Sequence, residues 1–164
     1  MMFSIRSFRA AATVLALTSL AACSSKKDDA TPAATTTPAG VTWTVDGTNV
    51  TAANIQKSTS GNNFEFAGSL TTSTTNSSGV DITVPKTVGT YAIPGSGATS
   101  IQALYLLVTP TTSPAVYYAT SGSVTVTSVT ATNIVGTFTF TGSDTFTGTT
   151  LTKTITNGKF NVAF

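Results

Sequence analysis

Histidine is absent from this chain, and it holds one cysteine, one tryptophan and 9% charged residues in 164. Without histidine there is no Ser-His-Asp or Cys-His nucleophile, no imidazole proton shuttle and no histidine-bound zinc. A lone cysteine permits no intramolecular disulfide, so the fold must rest on packing. Long apolar runs are missing as well. The run from Ala10 to Ala22 is broken by Thr13, Thr18 and Ser19 and falls short of the roughly 20 residues of a transmembrane helix. Net positive charge is scarce too. The +2 of the whole chain comes from Arg6 and Arg9, and from Cys23 onward Lys26, Lys27, Lys57, Lys86, Lys153 and Lys159 balance Asp28, Asp29, Asp46, Glu65, Asp81 and Asp144. That balance argues against a nucleic-acid partner, which needs a basic footprint.

What is present begins with an export pattern. Two arginines precede the apolar run, and the small residues Ala21 and Ala22 stand just before Cys23, where a signal peptidase tolerates little bulk. Leu20-Ala21-Ala22-Cys23 resembles the lipobox of bacterial lipoproteins at all four positions. The resemblance implies a signal peptide over 1–22 and a mature chain starting at Cys23, with a diacylglycerol thioether and an acylated amine. The membrane is then a partner through that lipid. Each buried methylene contributes about 0.8 kcal/mol, so several chains hold durably where one holds weakly.

Residues 23–40 read as the acylated cysteine and a flexible tether. Ser24 to Gly40 has no aromatic or large aliphatic residue and cannot bury enough surface to offset the entropy of ordering. A chain of that length spans at most about 60 Å and averages nearer 20–25 Å. Lys26-Lys27-Asp28-Asp29 is its one charge cluster. It reads as a solvated spacer, or as an acidic signal similar to the surface-export signal of Bacteroidota lipoproteins. The expected location is the cell envelope, at the outer membrane, with either leaflet open.

From Val41 to Phe164 the apolar period becomes two, which marks half-buried strands. Val41, Trp43 and Val45 alternate with Thr42 and Thr44, and Asp46-Gly47 is a two-residue turn signal leading into Thr48–Thr51. Phe64, Phe66 and Leu70 share a face opposite Glu65; Val80, Ile82 and Val84 form another strand, stopped by Pro85; Thr90–Ile93 is a short one. Ile101 to Val108 is apolar on both faces, which predicts a central strand covered on both sides. Val116–Ala119 and Ser123–Thr127 flank Gly122, and Ile134–Thr141 carries Gly136 at a point of expected bulge or close approach. Thr150–Thr156 and Lys159–Phe164 flank Asn157-Gly158, the strongest hairpin signal in the chain. The fold class is therefore all-β: one antiparallel sandwich or flattened barrel of about eight to ten strands. An outer-membrane barrel is not expected: its strands need about 9–11 residues each and aromatic girdles at both ends, whereas the strands here read as shorter and Trp43 is the one tryptophan.

Three C-terminal stretches, Thr120-Ser121-Gly122-Ser123-Val124-Thr125-Val126, Gly136-Thr137-Phe138-Thr139-Phe140 and Thr156-Asn157-Gly158-Lys159-Phe160-Asn161-Val162, are similar to small Bacteroidota lipoproteins with uncharacterised all-β domains. The resemblance implies fold and location. It brings no activity and no functional residue beyond Cys23.

Little catalytic chemistry is available. Asp46 and Asp144 read as turn residues, Glu65 as a residue of a polar strand face, and Asp81 as one near a strand start. No carboxylate pair is visible at glycosidase spacing, and Gly142-Ser143-Asp144 is a poor start on the six to eight oxygens calcium needs. The expectation is a non-catalytic domain with no cofactor and no metal. Its partner is a glycan, a protein or an apolar small molecule, the last carried in a calycin-like barrel with a cavity near Tyr105 and Leu107. Trp43, Tyr91, Tyr105, Tyr117 and Tyr118 could line a site, though core packing explains each, and adjacency places one of Tyr117 and Tyr118 outward. Threonine supplies 31 of the residues from Val41 to Phe164. Strand propensity and uncharged solvation account for that; an ice-binding face would need a regular stacked repeat, which the sequence lacks.

Overall fold

Among the described residues there are ten strands, most of them built on alternation of apolar and polar residues: β1 (Gly40–Val45), β2 (Thr48–Thr51), β3 (Asn54–Ser60), β4 (Asn63–Ser73), β5 (Asn76–Pro85), β6 (Gly89–Ala92), β7 (Ala103–Thr109), β8 (Thr112–Val129), β9 (Asn133–Asp144) and β10 (Leu151–Ala163). The structure is a computed structural model, and it describes residues 37–94, 101–144 and 151–164. The strands form one antiparallel sheet in the order β2-β1-β10-β9-β8-β7-β5-β4-β3, with β6 paired to β8. The sheet curls into a half-barrel, within the expected sandwich-or-barrel class.

The first expected hairpin is present. Asp46 and Gly47 take φ of 49° and 77°, and β1 pairs with β2 across them, as a type I′ turn requires. The second is not. β10 runs unbroken through Asn157-Gly158 and pairs with β9 on both sides of that dipeptide, with a register shift between Ile155 and Gly158. On its other edge β1 shifts register between Thr42 and Thr44. Asn157, at φ 52°, thus sits in a β-bulge rather than a turn. A left-handed residue before glycine suits either device, and the neighbouring strands select the bulge. Gly122 likewise interrupts no strand. β8 is continuous, giving one edge to β9 and sharing the other between β7 and β6.

The edges of the sheet meet at a two-residue corner. β2 and β3 lie at opposite ends of the strand order, yet only Ala52 and Ala53 separate them. Ala52 N donates to Val41 O at 2.9 Å, and Ala53 N donates to Ser69 O at 2.8 Å. Adjacent residues therefore bond to β1 and to β4. Gly68 makes this approach feasible: a Cβ there would lie 3.0 Å from Val41 Cβ and 3.2 Å from Ala52 Cβ.

The concave side is filled. Val41, Trp43, Phe64, Phe66, Ile82, Phe138, Phe140, Ile155 and Phe160 are all buried in one cluster. The Phe66 ring lies 4.9 Å from that of Phe160 and 6.5 Å from that of Phe138, joining β4 to β9 and β10 across the interior. Phe164 closes one end against Phe64, edge to face at 5.1 Å. The N-terminal approach is fixed by Asn161, whose Nδ2 donates to Thr37 O at 2.7 Å.

Candidate functional site

Strand periodicity assigns each residue of interest to the packed concave side or to the convex outer face. Cys23, with the signal peptide and most of the tether, lies outside the described residues. Trp43, Tyr105 and Tyr117 belong to the core; the Tyr105 and Tyr117 rings sit 5.9 Å apart. Burial pushes the Tyr105 phenol above its ordinary value, against the lowering effect of its hydrogen bond with Ser78. Tyr91 is half-buried, its hydroxyl tied to Thr87 Oγ1 at 2.6 Å and donating to Thr87 O at 3.0 Å. Tyr118 alone of the five points outward, 52% exposed.

The acids separate more sharply. Asp46 is in its turn and forms an ion pair with Lys153; the hydrogen bond with Asp46 raises the Lys153 ammonium above its usual value, burial acting the other way. Asp144 is not a turn residue. It ends β9 on the concave side, 1% exposed, because β9 keeps a strict two-residue period from Ile134 onward. Nor is Asp81 near a strand start: it occupies the middle of β5.

Asp81 and Glu65 meet on the outer face. In the β4–β5 register Glu65 faces Thr83 and Ala67 faces Asp81, so the two acids are diagonal neighbours, at a spacing of roughly 7–8 Å and somewhat less at Cβ. Burial first, and the Glu65 charge second, hold the Asp81 carboxyl above the ordinary carboxylate value. They line a groove of about 180 Å³ with Gln56, Ser58 and Ala67. No spacing in the sequence reveals this pair, since only the register of β4 on β5 creates it.

Beside the groove runs an apolar strip. The central strand β7 is covered on one side only, which corrects the expectation of burial on both. Ala103 and Tyr105 are buried, whereas Leu104, Leu106 and Val108 are half-buried on the convex face. Across β8, Leu106 faces Val116 and Leu104 faces Tyr118. One register row therefore reads Gln56, Ala67, Asp81, Leu104, Tyr118, Ser143 across β3, β4, β5, β7, β8 and β9.

The other half of the outer face is hydroxylic. Thr90, Thr125, Thr137, Lys159, Thr42 and Thr51 form a row across β6, β8, β9, β10, β1 and β2. Some hydroxyls on this half of the face are used internally. Thr90 and Thr125 share a bond of 3.0 Å, and Thr139 Oγ1 donates to Ile155 O at 2.9 Å.

Near Leu107 there is an open depression of about 220 Å³, lined by Leu70, Thr72, Asn76, Ser78, Leu107 and Val108. Pockets that bury a drug-sized ligand run to about 300–1,000 Å³. Among the described residues no three metal-ligating side chains gather, and no helix is long and apolar enough to cross a membrane. No protein-family model, curated protein or solved structure matches the chain.

The Asp81 environment gives a first prediction. A carboxyl whose folded pKa is raised binds its proton more tightly in the native state. Its contribution is fully favourable below the unfolded value and is lost as pH rises through the folded one. Asp81→Asn should therefore raise the melting temperature at pH 7 and leave it nearly unchanged near pH 3. Thermal unfolding of both proteins across that range checks it; an equal offset at every pH would rule out the titration as cause.

Proposed function

We propose that the protein is a lipid-anchored component of the cell envelope, held through Cys23 in the outer membrane, whose β domain is a non-catalytic binding module. Among known groups it fits the small Bacteroidota lipoproteins whose lipobox and C-terminal strand motifs it resembles. The observation that carries the binding reading is the contrast between the two halves of the outer face. One half is solvated with threonine. The other leaves Tyr118 exposed and Leu104, Leu106 and Val108 only half-buried although the concave side is already packed. Exposed apolar patches rimmed by polar groups mark interaction surfaces.

Two experiments test the reading. Cells grown with labelled palmitate should label the wild-type chain, which should partition with membranes. Cys23→Ser should lose the label and the membrane partitioning together, because the anchoring free energy comes from the buried acyl methylenes. A labelled Cys23→Ser protein would overturn the anchor. For the binding module, a photo-crosslinking amino acid at position 118 should give a discrete adduct on intact cells, and one at Thr137 should give none. Equal yields at both positions would remove the apolar half as the binding face.

A further inference from the structure

The geometry points to a lysine or arginine side chain of a partner protein as what the acidic end of this face receives, with the partner's adjoining apolar residue lying on Leu104 and Tyr118. This rests on the binding reading above and names the chemistry of its partner. Three observations carry it.

The first is an uncompensated charge. Glu65 and Asp81 stand diagonally on adjacent strands, and among the described residues neither has a cation. The Lys153 ammonium is on Asp46. Lys57, whose residue also lines the groove, donates to Ala163 O at 2.8 Å. Glu65 accepts only a neutral hydrogen bond, from Ser58 Oγ at 3.0 Å. Like charges at neighbouring sheet positions repel, and an incoming cation turns that repulsion into attraction for both.

The second is shape. Ala67, directly opposite Asp81, is the small residue between the two acids, and Gln56 and Ser58 form one wall of the groove. A guanidinium fork or an ammonium reaches both carboxylates there through charge-assisted hydrogen bonds, while its aliphatic stem covers apolar surface. A bare calcium ion takes six to eight oxygen ligands, which two acids, one amide and one hydroxyl reach only at the lower limit and only if both carboxylates bind bidentately.

The third is continuity. Asp81, Leu104 and Tyr118 are successive members of one register row. A cationic residue followed by an apolar one therefore meets acid, aliphatic and aromatic surface in order. Exposed tyrosines are favoured anchors of such contacts.

The test is an NMR titration of the intact ¹⁵N-labelled chain in detergent micelles. The probes are acetyl-Lys-Leu-amide, its norleucyl analogue and its glutamyl analogue. The lysyl peptide should shift the amides of Glu65, Asp81 and Leu104 and bind at least about tenfold more tightly than the norleucyl peptide, a margin of about 1.4 kcal/mol. The double variant E65Q/D81N should abolish that margin while keeping the native spectrum. Equal affinity for the lysyl and norleucyl peptides would overturn the cation inference and leave the face a binding surface. Shifts of the same amides by calcium chloride at lower concentration would overturn it in favour of a metal. Silence from all three peptides would overturn it too, and the position-118 cross-link would still report on the binding reading by itself.

Discussion

Gly136→Ala is expected to unfold the domain or to lower its melting temperature by well over 10 °C. A Cβ at this position would lie 2.1 Å from Thr125 O and 2.5 Å from Phe160 Cζ. The aromatic ring could in principle turn aside; the backbone oxygen of the adjacent strand cannot. Overpacking costs about 1–3 kcal/mol where side chains can yield, so a clash with backbone belongs at or above the top of that range. Each kcal/mol is worth about 3–6 °C in a domain of this size. The pairing is repeated elsewhere in β9 and β10. The Phe160 ring covers Gly136, and the Phe138 ring covers Gly158, whose own Cβ would meet it at 2.4 Å. In each, a glycine on one strand makes room for a phenylalanine of its neighbour. Thr137→Ala, one residue along β9 on the outer face, is the control and should stay within about 0.5 kcal/mol of wild type. Circular dichroism of both proteins on heating decides the matter. An alanine at 136 that melts with wild type would mean that β8 and β9 are not in this register.

The same glycine shows how far the sequence could be read. Gly136 inside an apolar-alternating strand signals a close approach, and the structure supplies the ring and the oxygen that approach it. Asp46-Gly47 was equally legible, because a two-residue loop with both residues left-handed has few other uses. Asn157-Gly158 carries the same local signal and means something else. Its backbone preference is satisfied by a bulge as well as by a turn, and only the pairing of β10 with β9 on one edge and β1 on the other separates the two. Local chemistry favoured the left-handed backbone of Asn157, while Gly158 is not left-handed as a type I′ turn requires, and the topology was left open.

The candidate site was less legible for a related reason. Period-two alternation tells which residues share a face, but not whether a second layer covers that face. Ile101 to Val108 is apolar on both sides, and a covered central strand is the ordinary explanation. Here β7 is central in the strand order, yet the sheet curls over one side of it only. Glu65 and Asp81 are invisible as a pair for the same reason that the threonine rows are. Each residue announces its own strand face, and the rows arise only when register aligns one strand with the next. Asp144 misled in the opposite direction. Aspartate after glycine and serine suggests a turn, whereas the β9 alternation that begins at Ile134 carries through to Asp144 and turns it inward.

Phe66→Ala should cost about 3–5 kcal/mol, the range for deleting a fully buried phenylalanine ring, and should do so without altering strand pairing in the folded fraction. Phe66 has no exposed surface, and its ring contacts those of Phe64, Phe138 and Phe160. Those partners come from both sides of the curl, β4 on one and β9 and β10 on the other. The ring therefore fills space and also holds the two ends of the sheet against each other where, among the described residues, backbone bonding is confined to the Ala52-Ala53 corner. Domains of this kind have about 5–15 kcal/mol in total, so the loss is a large fraction of the whole. Phe66→Leu retains much of the volume and should cost clearly less. A double-mutant cycle with Phe160→Ala isolates the cross-interior contact: residues that share one cavity couple by about 0.5–3 kcal/mol, and the two truncations should be less damaging together than their sum. Chemical denaturation of the four proteins measures this. Strict additivity would show that the two rings do not share a cavity, and with that the curl of the sheet would lose its central contact. A positive coupling would tie the concave packing to the convex face, because the curvature that brings Phe66 onto Phe160 also sets the line of Asp81, Leu104 and Tyr118 on the outside.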